Sequence, residues 1–118
     1  VNYTVANIDM AISDLYPLPE RAWSPTSYAW EHLLRGPEGA QHELPGIGTL
    51  RVVEIRDEEF EAKCWVVVSV TDADGNVRCF RRNGWRASHD GSYLGGPTEE
   101  VLPRAKVVTD WIPLQEAQ

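Results

Sequence analysis

The residues best suited to recognition lie together at Arg78, Phe80, Arg81, Arg82, Asn83, Gly84, Trp85 and Arg86, where guanidinium groups are interleaved with aromatic rings. A guanidinium fork matches two oxygens of a carboxylate or phosphate at once, and an indole face accepts a base or a cation. This chemistry suits a protein surface, or a small anionic ligand such as a nucleotide. The binding residues read from this stretch and its sequel are Arg81, Arg82, Trp85, Arg86, His89 and Tyr93. The competing reading is that the same arginines pair with carboxylates of the chain itself. Residues 1–75 carry 13 acidic against 5 basic side chains, whereas residues 76–118 carry 5 against 6.

Other chemistries find less. Ser88, His89 and Asp90 are the residue types of a hydrolase triad, but three adjacent side chains do not converge into a nucleophile, base and orienter. A small hydrolase using His89 with distant partners is therefore the third-ranked reading, and no catalytic residue is assigned. His32, His42 and His89 lack metal-ligand spacing, and the two cysteines form no C-x-x-C pair. The run Asp72, Ala73, Asp74, Gly75, Asn76 opens like a calcium loop. Its glycine comes at the fourth position instead of the sixth, and Asn83 stands where a bidentate Glu belongs. Gly46 and Gly48 precede a strand, the reverse of a dinucleotide fingerprint. The acidic run Asp57, Glu58, Glu59 and Glu61 reads as a solvated face. No metal or cofactor is expected.

A strand-rich domain must hold the arginine cluster in place. The 118 residues suit one core, and 42% hydrophobic with 25% charged residues is an ordinary globular composition. The clearest helix runs over 25–35: Ser24 is an N-cap, Pro25 sits at the first helical position, and Gly36 with Pro37 stops it. Trp23 and Tyr28 have the spacing of a hydrophobic staple, and Trp30, Leu33 and Leu34 share one face. Val5, Ile8, Ala11, Ile12 and Leu15 also fall at helical spacing. Residues 36–48 read as loop, 50–55 and 63–71 as strands, and the second of these as central with both faces covered.

Asp72, Ala73, Asp74 and Gly75 form a turn that folds 63–71 back on 76–82. A four-residue loop sets Val70 against Val77, Val68 against Cys79 and Val67 against Phe80. Asn83 and Gly84 mark a break, a short strand follows near Trp85, and a last strand spans 106–111 between Pro103 and Pro113. The expected architecture is α+β, a single domain over 1–118. Residues 1–36 are its helical part, and 49–112 form a twisted antiparallel sheet of four or five strands with one clear helix packed on it.

A formal net charge of −7 opposes general binding to a phosphate backbone. No apolar run approaches the length of a membrane span, and residues 1–11 lack the pattern of a signal peptide. Cys64 and Cys79 lie in β-prone runs and are expected as free, buried thiols in a reducing, cytoplasmic compartment.

At Gly84, Trp85, Arg86, Ala87, Ser88, His89, Asp90 and Gly91, with Gly96, Pro97, Glu100, Val101, Pro103, Lys106, Val107, Thr109 and Trp111 after it, the chain resembles small uncharacterised bacteriophage accessory proteins. The resemblance covers about the last third. It implies a short acidic protein acting in the bacterial cytoplasm and brings no catalytic residue with it. The functional expectation is a non-enzymatic binding protein whose partner is a host protein. A small anionic ligand or nucleotide is the alternative, and a homodimer is also compatible.

Overall fold

The structure is a computed structural model and describes residues 2–18, 24–58, 61–87 and 91–117. Two helices come first. In α1 (Val5–Leu15) the Thr4 hydroxyl accepts from the Asn7 N–H while the Asn7 side chain accepts from the Thr4 N–H, so two of the orphan donors at the helix start are satisfied. The helical spacing read from Val5 to Leu15 puts Ile8 and Ile12 fully in the core. α2 (Pro25–Arg35) starts and stops where the sequence places it. Ser24 accepts from the Ser27 N–H, and Trp30, Leu33 and Leu34 are buried. The Trp23 half of the expected staple lies outside the described residues.

Six antiparallel strands follow: β1 (Gln41–Leu44), β2 (Gly48–Arg56), β3 (Lys63–Thr71), β4 (Val77–Ala87), β5 (Gly91–Tyr93) and β6 (Thr98–Val101). Their order is β1-β2-β3-β4, and the far side of β4 is shared by β5 at Trp85 to Ala87 and by β6 at Cys79 to Arg82. Both helices lie on one face of this sheet, with α1 against β6 and α2 against β3 and β5. The core between the layers contains Ile8, Ile12, Trp30, Leu50, Val52, Val66, Val68, Val70, Phe80 and Leu94.

The architecture is α+β as expected, yet the sheet is larger than four or five strands and two helices pack on it. Five local expectations fail. Residues 36–48 are not all loop. Leu44 is buried, and the Ile47 N–H donates to its carbonyl across a tight turn at Pro45 and Gly46, which closes a β1–β2 hairpin.

The β3–β4 register is Thr71 to Val77, Val70 to Arg78 and Val68 to Phe80, one residue away from the expected pairing. The cause is Asp72. Its carboxylate accepts from the N–H groups of both Asp74 and Asn76, which draws Asn76 into a five-residue loop. That carboxyl is partly desolvated, but the two backbone donors outweigh this and hold it below its ordinary range.

Asn83 and Gly84 do not break the chain, because β4 runs unbroken through them. Gly84 passes so close to β5 that a Cβ there would meet the Tyr93 carbonyl oxygen at 2.0 Å, and only a bare Cα fits. Finally, 106–111 is not a strand. β6 takes its place, and residues 102–113 run on without regular structure and exposed to solvent. β3 is central, but only one of its faces is covered: Cys64, Val66, Val68 and Val70 are buried while Trp65, Val67 and Ser69 are half-exposed.

Candidate functional site

Because β4 is one continuous strand, its side chains alternate between faces, and this divides the arginine cluster. Arg78, Arg82 and Arg86 share the Phe80 side, under the helices. Arg81, Asn83 and Trp85 share the other side, with Trp65 and Val67 of β3 beside them.

On the covered side every guanidinium is occupied. Arg82 is 8% exposed; its Nε donates to the Leu94 carbonyl at 2.9 Å, Nη1 to the Thr98 hydroxyl at 3.1 Å and Nη2 to the Ser27 hydroxyl at 3.2 Å. Asp9 of α1 stands 4.0 Å away and accepts from Thr98 and from the Trp30 indole N–H. Burial pulls the Arg82 guanidinium below its ordinary value, opposed by the Asp9 charge. This side chain ties α1, α2, β4 and β6 together and offers nothing to a ligand in solvent. Arg86 donates to Asp57 at 3.0 Å, and the Ser92 hydroxyl donates to the same carboxylate. Arg78 holds Glu100 with two bonds and donates a third to the Tyr3 carbonyl.

The uncovered side is different. Trp85 is 52% exposed. Its ring lies 6.0 Å from that of Tyr93, its neighbour on β5, and packs over the bare Gly95, where a Cβ would come within 2.8 Å of the indole. The indole is thereby presented to solvent in a fixed pose on a paired strand.

Further along the same face Trp65 donates its indole N–H to Glu54 at 2.8 Å, with the guanidinium groups of Arg56 and Arg81 at 5.8 and 5.7 Å from its ring. Arg81 is bound to Glu99, which holds that carboxyl below its ordinary range with help from Asn83. Lys63, Trp65, Arg81, Asn83 and Gly84 line a depression of about 350 Å³.

Of the six expected binding residues, Trp85 and Tyr93 are brought together, and Arg81 lies on their face. Arg82 and Arg86 point to the opposite side, and His89 lies outside the described residues. Trp65 belongs to the exposed set and was not singled out as one of its members. The alternation of Cys64, Val66 and Val68 against Trp65, Val67 and Ser69 carries that information, provided one face is left bare.

Among the described residues no three His, Cys, Asp or Glu side chains are grouped to hold a metal ion. His32 stacks on Tyr16 at 4.6 Å, and His42 meets the same ring edge-on at 6.0 Å. Both cysteines are free, Cys64 buried and Cys79 half-buried, and burial raises both thiols above their ordinary value. No helix among the described residues is long and apolar enough to cross a membrane. No family model, curated protein or solved structure matches the chain.

Proposed function

We propose that the chain is a non-enzymatic interaction protein that holds a protein partner at the Trp85 end of its uncovered sheet face. The observation that supports this most is the half-exposed indole, braced by Tyr93 and Gly95 on a rigid strand pair. Fixed aromatic anchors of this kind dominate binding energy, because they bury a large area at little cost in side-chain freedom. The likeness of residues 84–111 to bacteriophage accessory proteins makes a host protein of the bacterial cytoplasm the partner of choice. The test is capture from bacterial lysate by wild type and Trp85→Ala in parallel, followed by titration with the purified captured protein. Trp85→Ala is expected to weaken binding by roughly 30-fold or more, the loss of an anchor worth about 2 kcal/mol. Equal binding by folded wild type and variant would defeat the reading.

A second reading follows from Arg81, whose Nε is buried without a partner at the depression shared with Lys63 and Trp65. A nucleotide in that depression would set its phosphate against Arg81 and Lys63 and stack its base on the Trp65 ring. Calorimetry against a nucleotide panel separates the readings: heat abolished by Arg81→Ala and retained in Trp85→Ala favours the anion.

A further inference from the structure

We infer that the partner segment gripped at Trp85 is proline-rich, with a carboxylate three residues from a proline; this rests on the anchor reading above and supplies the partner's chemistry. The free polar groups around that indole are donors. Trp30 and Trp65 commit their indole N–H groups to Asp9 and Glu54, whereas that of Trp85 has no partner among the described residues. Lys63, directly opposite Trp85 on β3, is exposed and forms no ion pair among the described residues. Carboxylates of the same face are already taken, Glu54 by Trp65 and Glu99 by Arg81 and Asn83.

A surface of aromatic rings and unpaired donors selects its occupant. An ordinary extended peptide carries one backbone N–H per residue, and each would lose water here without gaining an acceptor. Strand addition is closed to it, since β3 and β5 occupy both edges of β4 at Trp85 and β5 is only three residues long. A helix hides its own backbone but needs a groove for its apolar stripe, and Trp85 projects from a sheet face with half its surface in solvent. Proline has a carbonyl and no N–H, so a polyproline II segment brings acceptors alone. Its rings pack on the indole and phenol, and its backbone is ordered before it binds, which lowers the entropic cost.

Spacing agrees with this occupant. Tyr93, Trp85 and Lys63 are register partners on three adjacent strands, which puts Tyr93 and Lys63 two strand spacings apart, about 9.5 Å. One three-residue turn of polyproline II rises about 9.3 Å. A segment crossing the strands therefore sets a proline on the Tyr93 and Trp85 rings and the residue one turn away over Lys63. The unpaired ammonium there calls for a carboxylate, the charge the rest of this acidic chain would repel.

The probe is a capped oligoproline peptide ending in a glutamate pair, dye-labelled and titrated with the full chain by fluorescence anisotropy. Wild type is expected to bind it with a dissociation constant below about 1 mM, and roughly 5-fold more tightly than an oligoproline ending in lysines. Trp85→Phe keeps a ring and removes the donor, for a loss of about 5-fold; Trp85→Ala should lose roughly 30-fold or more. Lys63→Glu should reverse the preference between the two peptide ends. Circular dichroism checks that the variants are folded. Equal binding of a glycine–serine peptide with the same end, no binding of the oligoproline below about 1 mM, or indifference of wild type to the end charge would each overturn the inference. So would a captured protein that depends on Trp85 but is not displaced by the peptide, whether it docks a helix or is a second copy of this chain; the anchor reading would then stand without this one. A captured protein that binds Trp85→Ala as well as wild type would defeat the anchor reading and this inference with it.

Discussion

Replacing Arg82 by alanine should damage the fold far more than any binding surface. The side chain is 8% exposed and makes three hydrogen bonds, to Leu94, Thr98 and Ser27. Truncation leaves the carbonyl of the fully buried Leu94 without this donor, at a cost of about 1–3 kcal/mol. Two further bonds from a charged donor are lost, though Thr98 can still donate to Asp9 and Ser27 lies near the surface, so their share is about 1–2 kcal/mol. The Asp9 carboxylate, 4.0 Å away and partly solvated, contributes little because solvent screens the pair. The expected loss is about 3 kcal/mol, or a Tm lower by roughly 12 °C at about 4 °C per kcal/mol for a domain of this size. Urea titration followed by tryptophan fluorescence gives the number directly. Trp85→Ala in the same assay should stay within about 1 kcal/mol of wild type, since half of that side chain is already in water. A loss below 1 kcal/mol for Arg82→Ala would refute the reasoning and return that guanidinium to the binding surface.

Acid should weaken the fold through three carboxylates. Glu99, held by Arg81 and Asn83, Glu100, held by Arg78, and Asp72, which accepts two backbone N–H groups, all sit below their ordinary values of 4.5, 4.5 and 3.8. A depressed folded-state value contributes stability that is complete above the ordinary value and is lost as pH falls through the folded one. The urea midpoint should therefore be steady near neutrality and drop below about pH 4.5, less steeply in Glu99→Gln; a midpoint independent of pH down to 3 would contradict the assignment. Gly84→Ala should cost about 1–3 kcal/mol and strip β5 from β4, seen as faster amide exchange at Tyr93 with β3 unaffected; a neutral effect would show that the approach to the Tyr93 carbonyl is not tight. Both thiols, raised by burial, should react with a disulfide reagent more slowly than a free cysteine, Cys64 slowest, until urea unfolds the chain.

The elements most legible in the sequence are those whose signals are local. Ser24, Pro25, Gly36 and Pro37 delimit α2 to the residue, because capping chemistry involves only neighbours along the chain. The turn at Asp72 to Gly75 is just as visible, but its loop length depends on where one carboxylate finds its donors, and that single choice moves the register of the β3–β4 pair by one. Gly84 is ambiguous for a different reason: a glycine in a β-rich run denotes either an end or a close neighbour, and only the neighbour distinguishes them. Residues 106–111 carry β-prone residues between two prolines but form no strand, since such local signals report what a segment favours and say nothing of whether a partner is within reach. The arginine cluster was visible as composition but not as geometry. With the break at Gly84 removed, a period of two would have sent Arg82 and Arg86 to one side and Trp85 to the other.

That same division by two gives β4 the character of a keel with fittings on only one side. At every fourth residue a guanidinium reaches down to fasten a different peripheral piece: Arg78 the chain start and β6, Arg82 both helices, Arg86 the connection after β2. The intervening odd positions fasten nothing beneath the sheet. A scan along the strand should therefore read as a sawtooth, with stability falling at even numbers and partner affinity at odd ones, so that descendants of this chain are free to revise what they grip while keeping the hull that carries it.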